Sequence, residues 1–204
     1  MSKVKKLKDR PVLIFDIPDI IWNEIHEMVN ESRFFKDHPL SHLKEHHNLG
    51  YSEENKWNDY QCNISPYLIQ KSFWFPWTLR LAEKYCKLLG FDNKAVKRNI
   101  LLPCRNSFQH DDFYDIWTNF AYKGNKNPPH YHPPADIAGV IYYKNPSLEP
   151  THFYDMNELK NSVQYPGNEQ TMVLFPANTW HEVKEKQDDD ERITIAFNLN
   201  FRTI

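Results

Sequence analysis

Two histidines separated by one residue are the first candidates for chemistry in this sequence. His130 and His132 lie in the segment NPPHYHPP, residues 127–134. In an extended backbone, residues i and i+2 point to the same face, so one strand can offer both imidazoles to one metal ion. The flanking prolines restrict the backbone and reduce the entropy lost in holding this geometry. The spacing predicts a metal site, although such pairs also arise by chance in a chain with 10 histidines.

A third histidine and an arginine follow on a predicted hairpin. His181 lies in the segment WHEV, and Arg192 opens the segment RITIAFNLNF after an acidic turn. Antiparallel pairing of the two segments would bring these side chains close together, with Thr194 on the same strand face as Arg192. Three histidines leave coordination positions open, and an arginine binds a carboxylate through two parallel hydrogen bonds. The combination suits a small diacid that chelates the metal.

Short strand-like runs must position these residues. From about residue 94 the sequence alternates apolar runs with turn segments, which predicts a β-sandwich or barrel. The runs are AVKRNILLP, YDIWTNFAY, IAGVIYY, THFYD, TMVLFP, WHEV and RITIAFNLNF. In the last run the odd positions from Ile193 to Phe201 are apolar, and the even positions from Arg192 to Asn200 are almost all polar. Its polar face therefore lies either in water or in a cavity.

The first 93 residues read mainly as helices that pack on these strands. Residues 11–18 predict one short strand, and the apolar spacing predicts helices over residues 19–35 and 77–91. The lysine-rich start, residues 3–10, reads as a solvated terminus. We therefore expect a single domain over residues 1–204, with a helical part at residues 1–93 and a strand-rich core that carries the site at residues 94–204.

Composition argues against several classes of function. A formal net charge of −2 provides no basic field for nucleic acid, and the five glycines form no phosphate-binding loop motif. No apolar run is long enough for a membrane span, and the start lacks the apolar core of a signal peptide. The three cysteines are widely spaced. They predict reduced thiols and a cytoplasmic protein rather than structural disulfides.

At these residues the chain resembles a known family, the 2-oxoglutarate/Fe(II)-dependent dioxygenases. The resemblance is greatest to a poorly characterised bacterial and phage subgroup, whose pattern is W-x-N, H-x-H-P, a small-Gly-Val-x-Tyr-Tyr strand, F-P-x4-H-x-V and R-x-[ST]-x-x-F-N. In this chain the pattern is formed by Trp117 and Asn119, HYHP at 130–133, AGVIYY at 138–143, FPANTWHEV at 175–183 and RITIAFN at 192–198. The first hundred residues carry no part of it.

The resemblance implies a fold, cofactors and residue roles. The fold would be a double-stranded β-helix, which is a cupin-like jelly roll, mainly β with flanking helices. Fe(II) and 2-oxoglutarate would be the cofactors, and O2 the other cosubstrate. His130 and His181 would be iron ligands. Arg192 would pair with the far carboxylate of 2-oxoglutarate, helped by Thr194.

The third metal ligand departs from the family-wide pattern. The family usually has Asp or Glu, in H-x-[DE]…H, where this chain has His132, whereas the subgroup itself carries H-x-H. Three neutral imidazoles leave the metal more positive than a triad with a carboxylate, and they also suit Zn(II), Cu(II) or Ni(II). His132 is the expected third ligand. Asp136 is the alternative if the proline pair bends the chain inward.

Two further residues are candidates for the inner face of the barrel. Asn119 would either contact the cosubstrate or form a hydrogen bond within the core. Tyr142 and Tyr143 alternate along one strand, so one of them faces the cavity; we count Tyr142 among the candidate cofactor-binding residues. A second H-x-D pattern, His110 and Asp112, is an alternative triad on a poor strand sequence. The histidine-rich segment 38–47 reads as solvated surface.

The expected reaction is hydroxylation of a second substrate, which the sequence does not identify. The nearly neutral net charge favours a free amino acid or a peptidyl side chain over nucleic acid. Two other classes of function stay open. One is a cupin-like zinc-binding or hydrolytic protein, which would use the same three histidines and require nothing of Arg192. The other is a metal-free interaction module on the same fold.

Overall fold

The computed structural model describes residues 3–7, 10–37, 60–64, 66–90, 99–103, 116–155 and 158–203. Within these ranges the chain forms strands and three helices. The helices are α1 (Asp19–Asp37), α2 (Pro66–Lys71) and α3 (Trp74–Leu88). The strands are β1 (Lys3–Leu7), β2 (Arg10–Asp16), β3 (Tyr60–Asn63), β4 (Asn99–Pro103), β5 (Ile116–Ala121), β6 (Asn127–His130), β7 (Ile137–Lys144), β8 (Thr151–Asp155), β9 (Glu158–Tyr165), β10 (Thr171–Pro176), β11 (Trp180–Val183) and β12 (Arg192–Thr203).

Two antiparallel sheets form the jelly roll. The larger sheet has eight strands in the order β1–β2–β10–β7–β12–β5–β3, and β4 also pairs with β12. The smaller sheet has four strands in the order β6–β11–β8–β9. Strands that are distant in sequence lie side by side, as is usual in a double-sheet jelly roll. The predicted fold class, mainly β with flanking helices, is confirmed.

The long strand β12 separates the inside of the sandwich from the helices. Its odd residues from Ile193 to Leu199 are buried in the apolar cluster that also contains Ile25 of α1 and Trp74 of α3. Its even residues line a cavity between the two sheets: Arg192, Thr194, Ala196 and Asn198. The polar face of this strand therefore faces a cavity rather than water.

Helix α3 packs closely on β12 because a glycine makes room for an aromatic ring. The ring of Trp74 meets the ring of Phe197 edge to face, with 5.6 Å between centroids. On the neighbouring strand β7, a Cβ atom at Gly139 would lie only 2.1 Å from the ring of Phe197. Helix α3 begins three residues before the predicted 77–91 and ends at Leu88, shortly before Gly90, whose φ of 82° favours glycine. None of the described helices combines the length and apolar character needed to cross a membrane.

The first 93 residues are not wholly helical. Strands β1 and β2 form an antiparallel hairpin at one edge of the larger sheet, and β3 pairs with β5 at the other. The prediction of a solvated terminus over residues 3–10 was therefore wrong. An edge strand is held by backbone hydrogen bonds and needs no apolar run, and lysines are common at sheet edges. The N-terminal part thus contributes strands to the sheet as well as helices.

Candidate active site

Three histidines converge in the cavity between the sheets. His130 ends β6 and is paired directly with His181 on β11. His132 follows two residues later, and its backbone N–H donates to the carbonyl of Ala177 at 2.8 Å. One ring nitrogen from each of the three histidines lies within 4.8 Å of the others. The Nε2 atoms of His132 and His181 are 3.2 Å apart.

Backbone carbonyls orient two of the three rings. The Nδ1 atom of His130 lies 2.8 Å from the carbonyl oxygen of Pro128, and that of His181 lies 2.9 Å from the carbonyl oxygen of Thr179. A carbonyl oxygen only accepts, so Nδ1 carries the proton in each ring and Nε2 keeps its lone pair. Ligating histidines are commonly oriented in this way through their second nitrogen. Both rings are therefore held in a metal-binding tautomer.

The three histidines are neutral at ordinary pH. Burial lowers the pKa of His130, and burial together with the nearby His130 lowers the pKa of His132 to about 3. Burial lowers the pKa of His181 well below its usual range, and the two neighbouring histidines lower it further. A metal binds unprotonated imidazole, so protons do not compete for these nitrogens near neutral pH.

The donor set fits a transition metal. Two nitrogens bound to one ion at about 2.0–2.1 Å, with roughly 90–110° between the bonds, lie roughly 2.9–3.4 Å apart. The 3.2 Å separation of His132 and His181 falls in this range. No carboxylate of the described residues joins the three histidines.

Asp136 lies outside the histidine cluster. Its backbone N–H donates to Leu199, its carbonyl accepts from Ala177, and its charge acts on Cys86 of α3. The geometry therefore favours His132 over Asp136 as the third ligand. The other triad considered, His110 with Asp112, lies outside the described residues, and so does the histidine-rich segment 38–47.

Arg192 lies in the same cavity as the histidines. Arg192 is 4% exposed, and its Nε has no hydrogen-bond partner among the described residues. Within the described ranges, no acidic side chain forms an ion pair with its guanidinium. A buried charge without a partner is costly, and arginine matches a carboxylate in shape and charge. The site fits the carboxylate of a bound ligand.

Tyr142 packs its ring against the guanidinium of Arg192 and is not one of the residues that line the cavity. Its ring centroid is 5.9 Å from Cζ of Arg192, and its hydroxyl donates to Thr151 at 2.7 Å. Burial raises the pKa of Tyr142 to about 12, so the phenol stays protonated. Tyr143 points the other way, where its hydroxyl lies 2.6 Å from Nδ1 of His26 on α1. Of the two tyrosines, Tyr142 is thus the one inside the sandwich.

Asn119 belongs to a row of three hydrogen-bonded side chains on the larger sheet. The Nε1 atom of Trp117 donates to Oδ1 of Asn119 at 3.0 Å, and Nδ2 of Asn119 donates to Oγ1 of Thr194 at 3.3 Å. All three residues line the cavity. Asn119 thus forms hydrogen bonds within the wall, as one of its two interpretations expects, and it also borders the cavity.

The cavity has a volume of about 50 Å³. None of the described residues that line it is acidic. Two polar lining residues were not predicted: Asn127, whose buried Oδ1 has no hydrogen-bond partner, and Thr151. In THFYD, Thr151 lies two residues before the apolar Phe153, so the two share one face of the strand. This spacing is the sequence signal that indicates an inward position for Thr151, and both residues are buried.

Comparison with known proteins adds a sequence match to this geometry. Residues 147–198, which are 52 of the 204 residues, match a family described as "Putative 2OG-Fe(II) oxygenase". The matched segment contains His181, Arg192 and Thr194. This segment of the chain is therefore similar to that family. No protein of curated function matches the sequence.

Solved structures share the fold over most of the chain. A prolyl-4-hydroxylase from Pseudomonas putida is 13% identical, with 99% of this chain and 92% of that chain covered and a TM-score of 0.51. A prolyl hydroxylase from Trichoplax adhaerens, solved with a peptide fragment of the hypoxia inducible factor oxygen degradation domain, is 11% identical, with coverages of 93% and 83% and a TM-score of 0.53. The non-heme alpha ketoglutarate dependent carbocyclase SnoK from nogalamycin biosynthesis is 10% identical, with coverages of 94% and 80% and a TM-score of 0.57.

Proposed function

We propose that the protein is a 2-oxoglutarate- and Fe(II)-dependent hydroxylase with its metal held by three histidines. His130, His132 and His181 would bind the metal. Arg192 and Thr194 would bind the far carboxylate of 2-oxoglutarate. The observation that carries this proposal is the buried Arg192, which has no acidic partner among the described residues and lines the same cavity as three neutral histidines.

The residues of the chain have distinct parts in this function. Iron with 2-oxoglutarate and O2 supplies the oxidising chemistry when bound. The carbonyls behind His130 and His181 hold each ring with its Nε2 lone pair available. Arg192 neutralises and orients the carboxylate at the other end of the cosubstrate. The rings of Phe153 and Phe175 pack against His181, with centroids 6.1 and 4.8 Å away, and keep water from its side of the site.

We further propose an amino-acid or peptidyl side chain as the substrate class. Two of the structures that share the fold are prolyl hydroxylases. The formal net charge of −2 also disfavours nucleic acid as a substrate. Release of succinate from 2-oxoglutarate, measured with and without a panel of free amino acids and unstructured peptides, tests this part. Stimulation by none of them, together with stimulation by another class of compound, would contradict it.

A zinc hydrolase on the same barrel is the second candidate, since three imidazoles and one open position suit zinc. That function gives no role to the buried Arg192. Substitution of Arg192 therefore separates the two functions.

The deciding experiment is an anaerobic titration of Fe(II)-loaded protein with 2-oxoglutarate, followed by visible absorption. We expect a metal-to-ligand charge-transfer band in the wild type and in Arg80→Met, a control at an exposed arginine of α3. The same band should require much higher 2-oxoglutarate concentrations in Arg192→Met. Absence of the band in all three proteins, although metal is bound, would rule out the oxygenase function and favour the zinc hydrolase.

A further inference from the structure

We infer that Trp117 and Asn119 are positioning residues that turn the hydroxyl of Thr194 into a fixed donor beside Arg192, so that the site selects a terminal carboxylate over a carboxamide of the same shape. This inference rests on the proposed function, because it concerns the end of the cavity where 2-oxoglutarate would place its far carboxylate. It assigns a role to two residues that touch no reacting atom.

The first step is the orientation of the Asn119 amide. An indole N–H only donates, so the atom that it meets at 3.0 Å must be an acceptor. The carbonyl oxygen of Asn119 therefore faces Trp117, and its NH2 group faces Thr194. In this way Trp117 removes the ambiguity that an amide side chain otherwise has.

The second step is the direction of the Thr194 proton. The Thr194 oxygen accepts a hydrogen bond from Asn119 at 3.3 Å, so its own proton points away from that contact. No acceptor for this proton occurs among the described residues, and the side chain lines the cavity. The hydroxyl is therefore left to donate to a group in the cavity.

The third step is the chemistry of the ligand that fits there. Arg192 lies two residues away on the same face of β12 and can only donate. A carboxylate presents acceptors alone and satisfies both donors. A carboxamide presents an NH2 group, which can only donate, so either Arg192 or Thr194 is left without an acceptor. Asn127 also lines the cavity, and its buried Oδ1 has no hydrogen-bond partner among the described residues. Its amide can rotate to present either end, so it serves the two ligands alike.

The test compares 2-oxoglutarate with 2-oxoglutaramate, its carboxamide analogue, by calorimetric titration of Mn(II)-loaded protein without iron. The variants are Thr194→Val, Trp117→Phe and the double variant, with Trp22→Phe on α1 as the matched control. Trp22 packs on Tyr143, on the far side of the larger sheet from the cavity. Mn(II) affinity and thermal unfolding of each variant are measured in parallel.

We expect the wild type and Trp22→Phe to share one preference for 2-oxoglutarate over the carboxamide. Thr194→Val and Trp117→Phe should each lower it by about 10- to 100-fold, which corresponds to one hydrogen bond to a charged group, whereas the part due to the charge of Arg192 and to ring closure of the free carboxamide remains. The double variant should be no worse than Thr194→Val alone, because Trp117 reaches the carboxylate only through Asn119 and Thr194. The ring of Trp117 also lies 6.1 Å from that of His132, and Trp117→Phe keeps an aromatic ring there, so Mn(II) affinity should be unchanged.

Several outcomes would overturn the inference. These are an undiminished preference in Trp117→Phe, or losses that add in the double variant. If Trp117→Phe fails to fold, Asn119→Asp takes its place: a carboxylate there accepts the Thr194 proton, so the preference should again fall by about tenfold or more, and an unchanged preference contradicts the inference. Failure of the wild type to bind 2-oxoglutarate at all contradicts the proposed function instead.

Discussion

His130 and His181 face each other across two antiparallel strands, with their ring centroids 4.1 Å apart. This pairing joins residues that are 51 positions apart in the sequence. The position of each ring then depends on the register of β6 against β11. A shift by one residue would turn one imidazole to the opposite face of the sheet.

Removal of one histidine should abolish tight metal binding. His181→Ala takes away a ligand whose second nitrogen is held by a backbone carbonyl. Loss of a group that only orients a ligand costs about 10- to 100-fold in metal affinity, so loss of the ligand itself should cost more than about 100-fold. Metal content after dialysis measures this, with His26→Gln on α1 as a histidine control outside the cluster. Full metal content in His181→Ala would show that the cluster is not the metal site.

The identity of the third ligand can be tested separately with His132→Asp. This change converts three imidazoles into two imidazoles and a carboxylate, a set that suits non-heme Fe(II). We expect the ratio of Fe(II) to Zn(II) affinity to rise by about tenfold, measured by competition between the two metals under anaerobic conditions. An unchanged ratio would argue that His132 does not touch the metal.

Lys186 should be important for the stability of the protein. Its side chain is 1% exposed and pairs with Asp188 and, at 3.3 Å, with Glu149. Lys186→Met leaves the Glu149 carboxylate, 16% exposed, without this partner, and we expect a loss of about 3–5 kcal/mol in the free energy of unfolding. Urea denaturation measures it. Lys123→Met, which breaks an exposed pair with Asp189, should cost less than about 1 kcal/mol.

A single methyl group at Gly139 should disturb the core. The new Cβ of Gly139→Ala would collide with the ring of Phe197, which is itself packed against Trp74. We expect a loss of about 1–3 kcal/mol in the free energy of unfolding, as is typical of overpacking. Phe197→Leu in the same chain should recover part of that loss by vacating the space. Equal stability of Gly139→Ala and the wild type would show that the ring moves freely.

The acid stability of the protein should depend on Glu191. Burial raises the pKa of this carboxyl, but hydrogen bonds from Arg33 and Tyr122 outweigh it and leave the pKa below its ordinary value of 4.5. A lowered folded-state pKa means that the unfolded chain binds more protons, so stability falls as the pH drops through and below 4.5. Glu191→Gln should cost about 1 kcal/mol at pH 7 and less near pH 3, because part of the contribution is lost as the pH falls below 4.5. Thermal unfolding at the two pH values checks this, and an equal difference at both would contradict it.

The sequence predicted the parts of the fold that carry strong periodicity. Strand β12 alternates strictly between apolar and polar residues, and its two faces follow that alternation in the structure. The strands β1 and β9 were missed, because sheet edges are held by backbone hydrogen bonds and β9, ELKNSVQY, has no apolar run. Alternation in β7 showed that Tyr142 and Tyr143 face opposite ways. Only the position of α1 shows which of the two faces outward.

The residues of the candidate site could be proposed one by one from the sequence, but their arrangement could not. Motif spacing pointed to the three histidines and to Arg192. The hydrogen-bonded row from Trp117 to Thr194 depends on the register between β5 and β12, which the sequence does not encode locally. Asn127 lies three residues before His130, within a proline-rich segment that resembles a loop. Its place on the cavity wall follows only from the pairing of β6 with β11.

The prolines beside the histidines also affect how another chain can approach. Strand β6 is the terminal strand of the described smaller sheet, and two of its four residues are Pro128 and Pro129. An extended peptide that joins a sheet edge needs N–H donors along that edge, and these two residues have none. Strand addition is therefore blocked beside the histidines. A peptidyl substrate would have to insert one side chain into the mouth of the cavity. Its recognition would then not depend on the backbone conformation of the peptide.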